Sequence, residues 1–74
     1  MKMSTVDLHG VLHEEVERVL HGAFLTLDIP LCVITGHSFR MKSLVAAVAS
    51  GYGYYVYPAL GNTGRLIIDK ERSI

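Results

Sequence analysis

The chain has 74 residues, half of them apolar and 19% charged. This is a globular composition, too hydrophobic for a disordered tail, at a length that excludes a two-domain enzyme or a long repeat array. One cysteine, Cys32, rules out an internal disulfide. No apolar run approaches the roughly 18 residues of a membrane span, and the N-terminal residues lack the apolar stretch of a signal peptide. The formal net charge is zero, which argues against tight, indiscriminate binding to a polyanion. The expectation is therefore a single soluble cytoplasmic domain with no membrane contact.

Taken in order, Ser4 to Leu8 is short, rich in β-formers and stops at His9-Gly10, which predicts a first strand. From Glu14 the period changes. Val16, Val19, Leu20, Ala23, Phe24 and Leu27 form one helical stripe, Glu14, Glu15 and Glu17 favour the positive end of its dipole, and Pro30 ends the element. Leu31-Cys32-Val33-Ile34 is continuously apolar, as in a strand buried on both faces, and stops at Thr35-Gly36. Met41, Leu44, Val45 and Val48 give a second helix, ended by Gly51. Tyr54 to Tyr57 predicts a third strand closed by Pro58, Leu60 to Gly64 a turn, and Leu66-Ile67-Ile68 a fourth strand.

The order β-α-β-α-β-β implies three strands of like direction and a fourth antiparallel to the third. Both helices are expected on one face of a mixed four-stranded sheet, giving a two-layer α/β sandwich with strands two and four central. Ligands of such sheets bind at the carboxyl ends of the strands. That edge gathers Asp7, His9, Gly10, Thr35, Gly36, His37, Ser38, Asn62 and Arg65, together with the start of the second helix, whose unpaired N–H groups suit a phosphate. The charges lean the same way. Residues 1–28 hold five acids against two basic groups, whereas residues 29–68 hold no acid and carry Arg40, Lys42 and Arg65. An acid-free stretch of this length points mildly to an anionic partner.

Each feature has a plainer structural reading. Asp7 can cap a loop, Gly36 can serve a turn, and Ser38 can cap a helix. Cys32 reads as inert core, and His13 and His21 as helix surface. Alternation sets Tyr55 and Tyr57 on the face opposite Tyr54 and Val56. Whichever pair lies on the uncovered face could stack on bases, bind a partner protein or pack in a homodimer.

Val6-Asp7-Leu8-His9-Gly10, followed by Glu14-Glu15 and an amphipathic helix, resembles the start of the small MutS-related (Smr) domain. Ile34-Thr35-Gly36-His37-Ser38 stands where that family has its second, glycine-containing motif, with Ser38 in place of the second glycine. Leu12 stands where many members have a Thr that caps the first helix. Asn62-x-Gly64 and the closing apolar strand are similar to the family's end, and the likeness spans roughly residues 5–69. It implies a β-α-β-α-β-β sandwich similar to the C-terminal domain of bacterial translation initiation factor 3, with strand order 1-2-4-3. It also implies endonuclease activity or nucleic-acid binding on RNA or DNA, with RNA cleavage favoured over DNA nicking.

In that reading Asp7, His9 and His37 are catalytic. Gly10, Thr35, Gly36, Ser38, Arg40, Lys42, Asn62 and Arg65 bind the nucleic-acid backbone. Asp7 is the one candidate ligand for a divalent cation such as Mg or Mn, and a lone carboxylate favours a reaction independent of metal or weakly assisted by it. Two alternatives stand beside the nuclease: a noncatalytic nucleic-acid- or ribosome-binding module, and a dimeric protein-interaction domain.

Overall fold

The computed structural model describes residues 3–71. Strand β1 (Ser4–Asp7) leads through a single 3-10 turn (His13–Glu15) into helix α1 (Val16–Thr26). Strand β2 (Leu31–Ile34), helix α2 (Phe39–Gly51), strand β3 (Tyr55–Ala59) and strand β4 (Asn62–Asp69) follow. The sheet order is β1-β2-β4-β3. β1 pairs with β2 in parallel, and β4 is antiparallel to both β2 and β3. The expected topology, with the two most apolar strands central, is the one observed.

The stripes read from the sequence are the buried ones. Val16, Leu20 and Ala23 of α1 and Met41, Val45 and Ala49 of α2 are buried. They pack with Leu31 and Val33 of β2 and Leu66 and Ile68 of β4 in one core. Leu8, completely buried, plugs that core just beyond the end of β1. Both helices thus cover the sheet face that carries Val6, Val33 and Leu66. Phe24 of α1 meets Tyr52 and Tyr54 edge-on, with ring centroids 4.8 and 5.0 Å away, so these two tyrosines belong to the helical layer. Strand alternation leaves Tyr55 and Tyr57 on the uncovered face.

Three boundaries differ from the sequence reading. Strand β4 begins at Asn62 rather than at Leu66, because Ala59 pairs with Asn62 across the two-residue connection Leu60-Gly61. Gly61 supplies that connection's positive φ of 71°. Pro58 lies within β3 instead of closing it; β3 is an edge strand, where a residue without an N–H leaves no ladder bond unmade. The first helix starts with a 3-10 turn whose preceding residue, Leu12, offers no side-chain cap. A leucine has no oxygen to accept the free N–H groups that a serine or threonine would satisfy. Among the described residues no helix is long and apolar enough to cross a membrane.

Two substitutions test this packing by denaturant unfolding. Leu20→Ala is expected to cost about 2–5 kcal/mol, because it opens a cavity at a fully buried point between helix and sheet. Gly22→Ala is expected to stabilise by roughly 0.5–1 kcal/mol, since a Cβ there meets nothing within 4 Å and helix propensity rises.

Candidate functional site

The loop edge is built from three turns, and each explains part of the sequence pattern. In the first, Asp7 Oδ1 accepts the His9 N–H at 2.9 Å. The Val11 N–H then donates to the Leu8 carbonyl at 3.0 Å, closing a turn in which Gly10 has φ 85°. A turn of type II needs a positive φ at its third residue, which glycine supplies. Asp-Leu-His-Gly is thus a local device: Asp7 caps, Leu8 anchors, Gly10 turns, and His9 is held at the exposed second position. The Leu8 N–H donates to the Ile34 carbonyl at 2.9 Å, tying this turn to the end of β2.

The second turn follows β2. Thr35 is 3% exposed, and Gly36 has φ 68°. The His9 ring lies against Gly36: its Cδ2 is 3.3 Å from the point a Cβ on Gly36 would occupy. Glycine is therefore required there twice, by backbone conformation and by the histidine. His37 and Ser38 follow at once. Ser38 caps α2, its Oγ accepting the Met41 N–H at 3.1 Å. No acid lies in the first turn of α2, so the N–H groups of Phe39 and Arg40 keep their attraction for an anion.

The third turn is the β3–β4 hairpin. Pro58 pairs with Leu66 but Ala59 pairs with Asn62, so Thr63, Gly64 and Arg65 bulge out of the ladder with β3. The bulge crosses to β2. The Gly64 carbonyl accepts the Thr35 N–H at 2.9 Å and the Gly36 N–H at 3.1 Å. The Thr35 hydroxyl lies 2.9 Å from the Gly36 carbonyl and 3.2 Å from that of Gly64, with one proton to give. Asn62 Oδ1 accepts the Gly64 N–H at 2.9 Å and fixes the bulge. Thr63 Oγ1 is 3.3 Å from His37 Nδ1, and among the described residues Nε2 of that ring has no hydrogen-bond partner. The Lys42 ammonium donates to the Thr63 carbonyl.

The predicted residues therefore divide. His9, Thr35, Gly36, His37, Asn62 and Lys42 come together around Gly36 and the bulge. Gly10, Ser38 and Asn62 act on the backbone, and Lys42 is held by a carbonyl. Arg40 is exposed on the first turn of α2. Asp7 and Arg65 flank Ile34 in one row across the sheet, paired to it from either side, and alternation with Val6 and Leu66 turns both toward the uncovered face. Among the described residues no three His, Cys, Asp or Glu side chains form a group suited to a metal ion. With one Asp7 oxygen already engaged by an amide, the donor set does not fit a bound Mg or Mn.

Sequence reasoning missed Thr63 and the Gly64 carbonyl. A threonine between Asn and Gly reads as an ordinary turn residue, and a carbonyl has no sequence signal at all. Beyond the loop edge, Cys32 is buried, and His21 pairs through Nδ1 with the Tyr52 hydroxyl. The chain matches no family model, no curated protein and no solved structure.

Gly36→Ala is expected to destabilise by roughly 1–2 kcal/mol through its positive φ alone, with a further loss from the His9 contact. Combining it with His9→Ala removes only that second part. Gly64→Ala is expected to shift stability by about 0.5 kcal/mol at most, because its Cβ would meet neighbours at ordinary contact distances of 3.5–3.7 Å. Equilibrium urea unfolding of the three variants checks the ranking.

Proposed function

We propose that the loop edge binds and cleaves the phosphodiester backbone of single-stranded RNA. The observation that carries this reading is the packing of the His9 ring on Gly36. It sets one imidazole beside the backbone of the residue that precedes His37, so two imidazoles border one loop. The resemblance of Asp7-Leu8-His9-Gly10 to the Smr motif supports the same assignment. So does the adjoining start of α2, with exposed N–H groups and Arg40 to receive phosphate.

RNA carries its own nucleophile. One neutral histidine takes the proton of the 2′-hydroxyl as that oxygen bonds to phosphorus. The other histidine, protonated, donates to the departing 5′-oxygen as the P–O5′ bond breaks. The products are a 2′,3′-cyclic phosphate and a 5′-hydroxyl, and the two histidines exchange protonation states. Arg40 and the α2 N–H groups offset charge building on the phosphoryl oxygens. Asp7 acts as a positioning residue, holding His9 through its amide.

A second reading keeps the same contacts without cleavage. It is favoured by Asp7, Ser38 and Lys42 each being engaged in local structure. Incubation with end-labelled single-stranded RNA in the presence of chelator separates the two. Cleavage is expected to give cyclic phosphate ends and a bell-shaped pH–rate profile. His9→Ala and His37→Ala should each lower the rate by about 10²–10⁴-fold while leaving RNA affinity nearly unchanged. Salt-dependent binding with no product, unaltered by either substitution, would establish the noncatalytic module instead.

A further inference from the structure

Among the described residues, the sheet face away from the helices has no covering layer. Cys32, Ile34, Ile67 and Tyr57 lie on it, alternating with the core residues Val33, Leu66, Ile68 and Val56. Its charges are Asp7, Arg65 and Asp69. The Asp69 carboxylate accepts from the Tyr57 hydroxyl at 3.2 Å and from the Glu71 N–H at 3.3 Å. Partial burial first, and then that hydrogen bond and the Asp69 charge, hold the Tyr57 hydroxyl above its ordinary pKa, which keeps the hydroxyl protonated and donating. Asp7 and Arg65 remain, and among the described residues neither makes an ion pair within the chain. They stand on either side of Ile34 in one row, their backbones about 10 Å apart across two strand spacings.

We propose that this face packs against the same face of a second copy of the chain. A two-fold axis lying between the sheets and running along β2 exchanges left and right across that strand. It sets Ile34 over the partner's Ile34, and Cys32 over the partner's Cys32. It also sets Arg65 over the partner's Asp7 and Asp7 over the partner's Arg65. Among the described residues, Arg65 and Asp7 are thus the cation and anion of the face without an ion-pair partner, at equal strand distances from the line about which they complement each other, and a two-fold interface repeats the pair. Aligned sheets about 10 Å apart with mean strand directions within about 30° accommodate this arrangement. A nucleic acid fits this face less well, since two carboxylates against one guanidinium repel a polyanion.

Sedimentation equilibrium from about 1 µM to 1 mM, with circular dichroism as the control for folding, tests the proposal. Wild type is expected to rise from 8.2 kDa to twice that mass. Arg65→Asp and Asp7→Lys are each expected to weaken the dimer by about tenfold or more. The double variant, which restores opposite charges across the axis, should return to within about threefold of wild type. A wild type that stays at 8.2 kDa throughout overturns the proposal whatever the variants do. So does a folded double variant no tighter than Arg65→Asp alone, or RNA that quenches Tyr55 fluorescence in a protein that remains monomeric.

Discussion

The Gly64 carbonyl is the hinge on which the loop edge depends. At the end of β2 the chain leaves the sheet, and the N–H groups of Thr35 and Gly36 have no strand ahead of them to bond. One oxygen of the β4 bulge accepts both. An unpaired amide beside a buried threonine would cost about 1–3 kcal/mol, so the bulge is what allows Thr35 to be buried and Gly36 to turn. The approach brings the Gly36 Cα to 3.6 Å from where a Gly64 Cβ would stand, an ordinary contact distance, so glycine is required at Gly36, by its positive φ and the His9 ring, and not at Gly64. Each neighbour then follows: Asn62 fixes the bulge, Thr63 reaches His37, and the His9 ring fills the space that the missing Gly36 side chain leaves open.

This arrangement gives the two histidines different supports. His9 is held at its backbone, through the Asp7 carboxylate and the Gly10 turn, and its ring rests on a glycine. His37 is held at its ring, by the Thr63 hydroxyl. The Thr63 hydroxyl can donate to Nδ1 of His37 or accept from it, so the contact holds the position of the ring in either tautomer. In the first turn Leu8 is fully buried and Val11 packs partly against the core, so the turn is anchored at both ends while His9 and Gly10 stay at the surface.

Much of the architecture was legible because it rests on apolar period. The Leu31–Ile34 run and the Leu66–Ile68 run placed β2 and β4 at the centre, and the helical stripes of α1 and α2 bury the residues expected. The site was legible only in outline. Its gathering at one edge follows from topology, but the roles within it follow from main-chain atoms. Asn62 reads as a polar side chain near an anion and serves to hold a backbone N–H. Lys42 reads as a charge for phosphate and donates to a carbonyl. The start of β4 was missed because Asn62-Thr63-Gly64 has the composition of a turn while continuing a strand, a bulge being a matter of register that composition does not encode.

The continuous apolar run of β2 predicted burial on both faces, yet helices cover only one. Cys32 is nonetheless 7% exposed, shielded by its cross-strand neighbours Thr5 and Ile67, and Ile34 is half-buried. A strand that faced water permanently on that side would gain more from alternation with polar residues. In the two-fold arrangement proposed above, the β2 row is the one line of the face that meets itself, which accounts for its lack of charge. Asp7 then belongs to both regions, one oxygen holding the His9 amide and the carboxylate facing the partner's Arg65. Pairing that favours the ionised, ordered carboxylate favours the turn as well, so assembly of the sheet faces and the position of His9 are linked through one side chain, and by reciprocity whatever orders His9 tightens the pair.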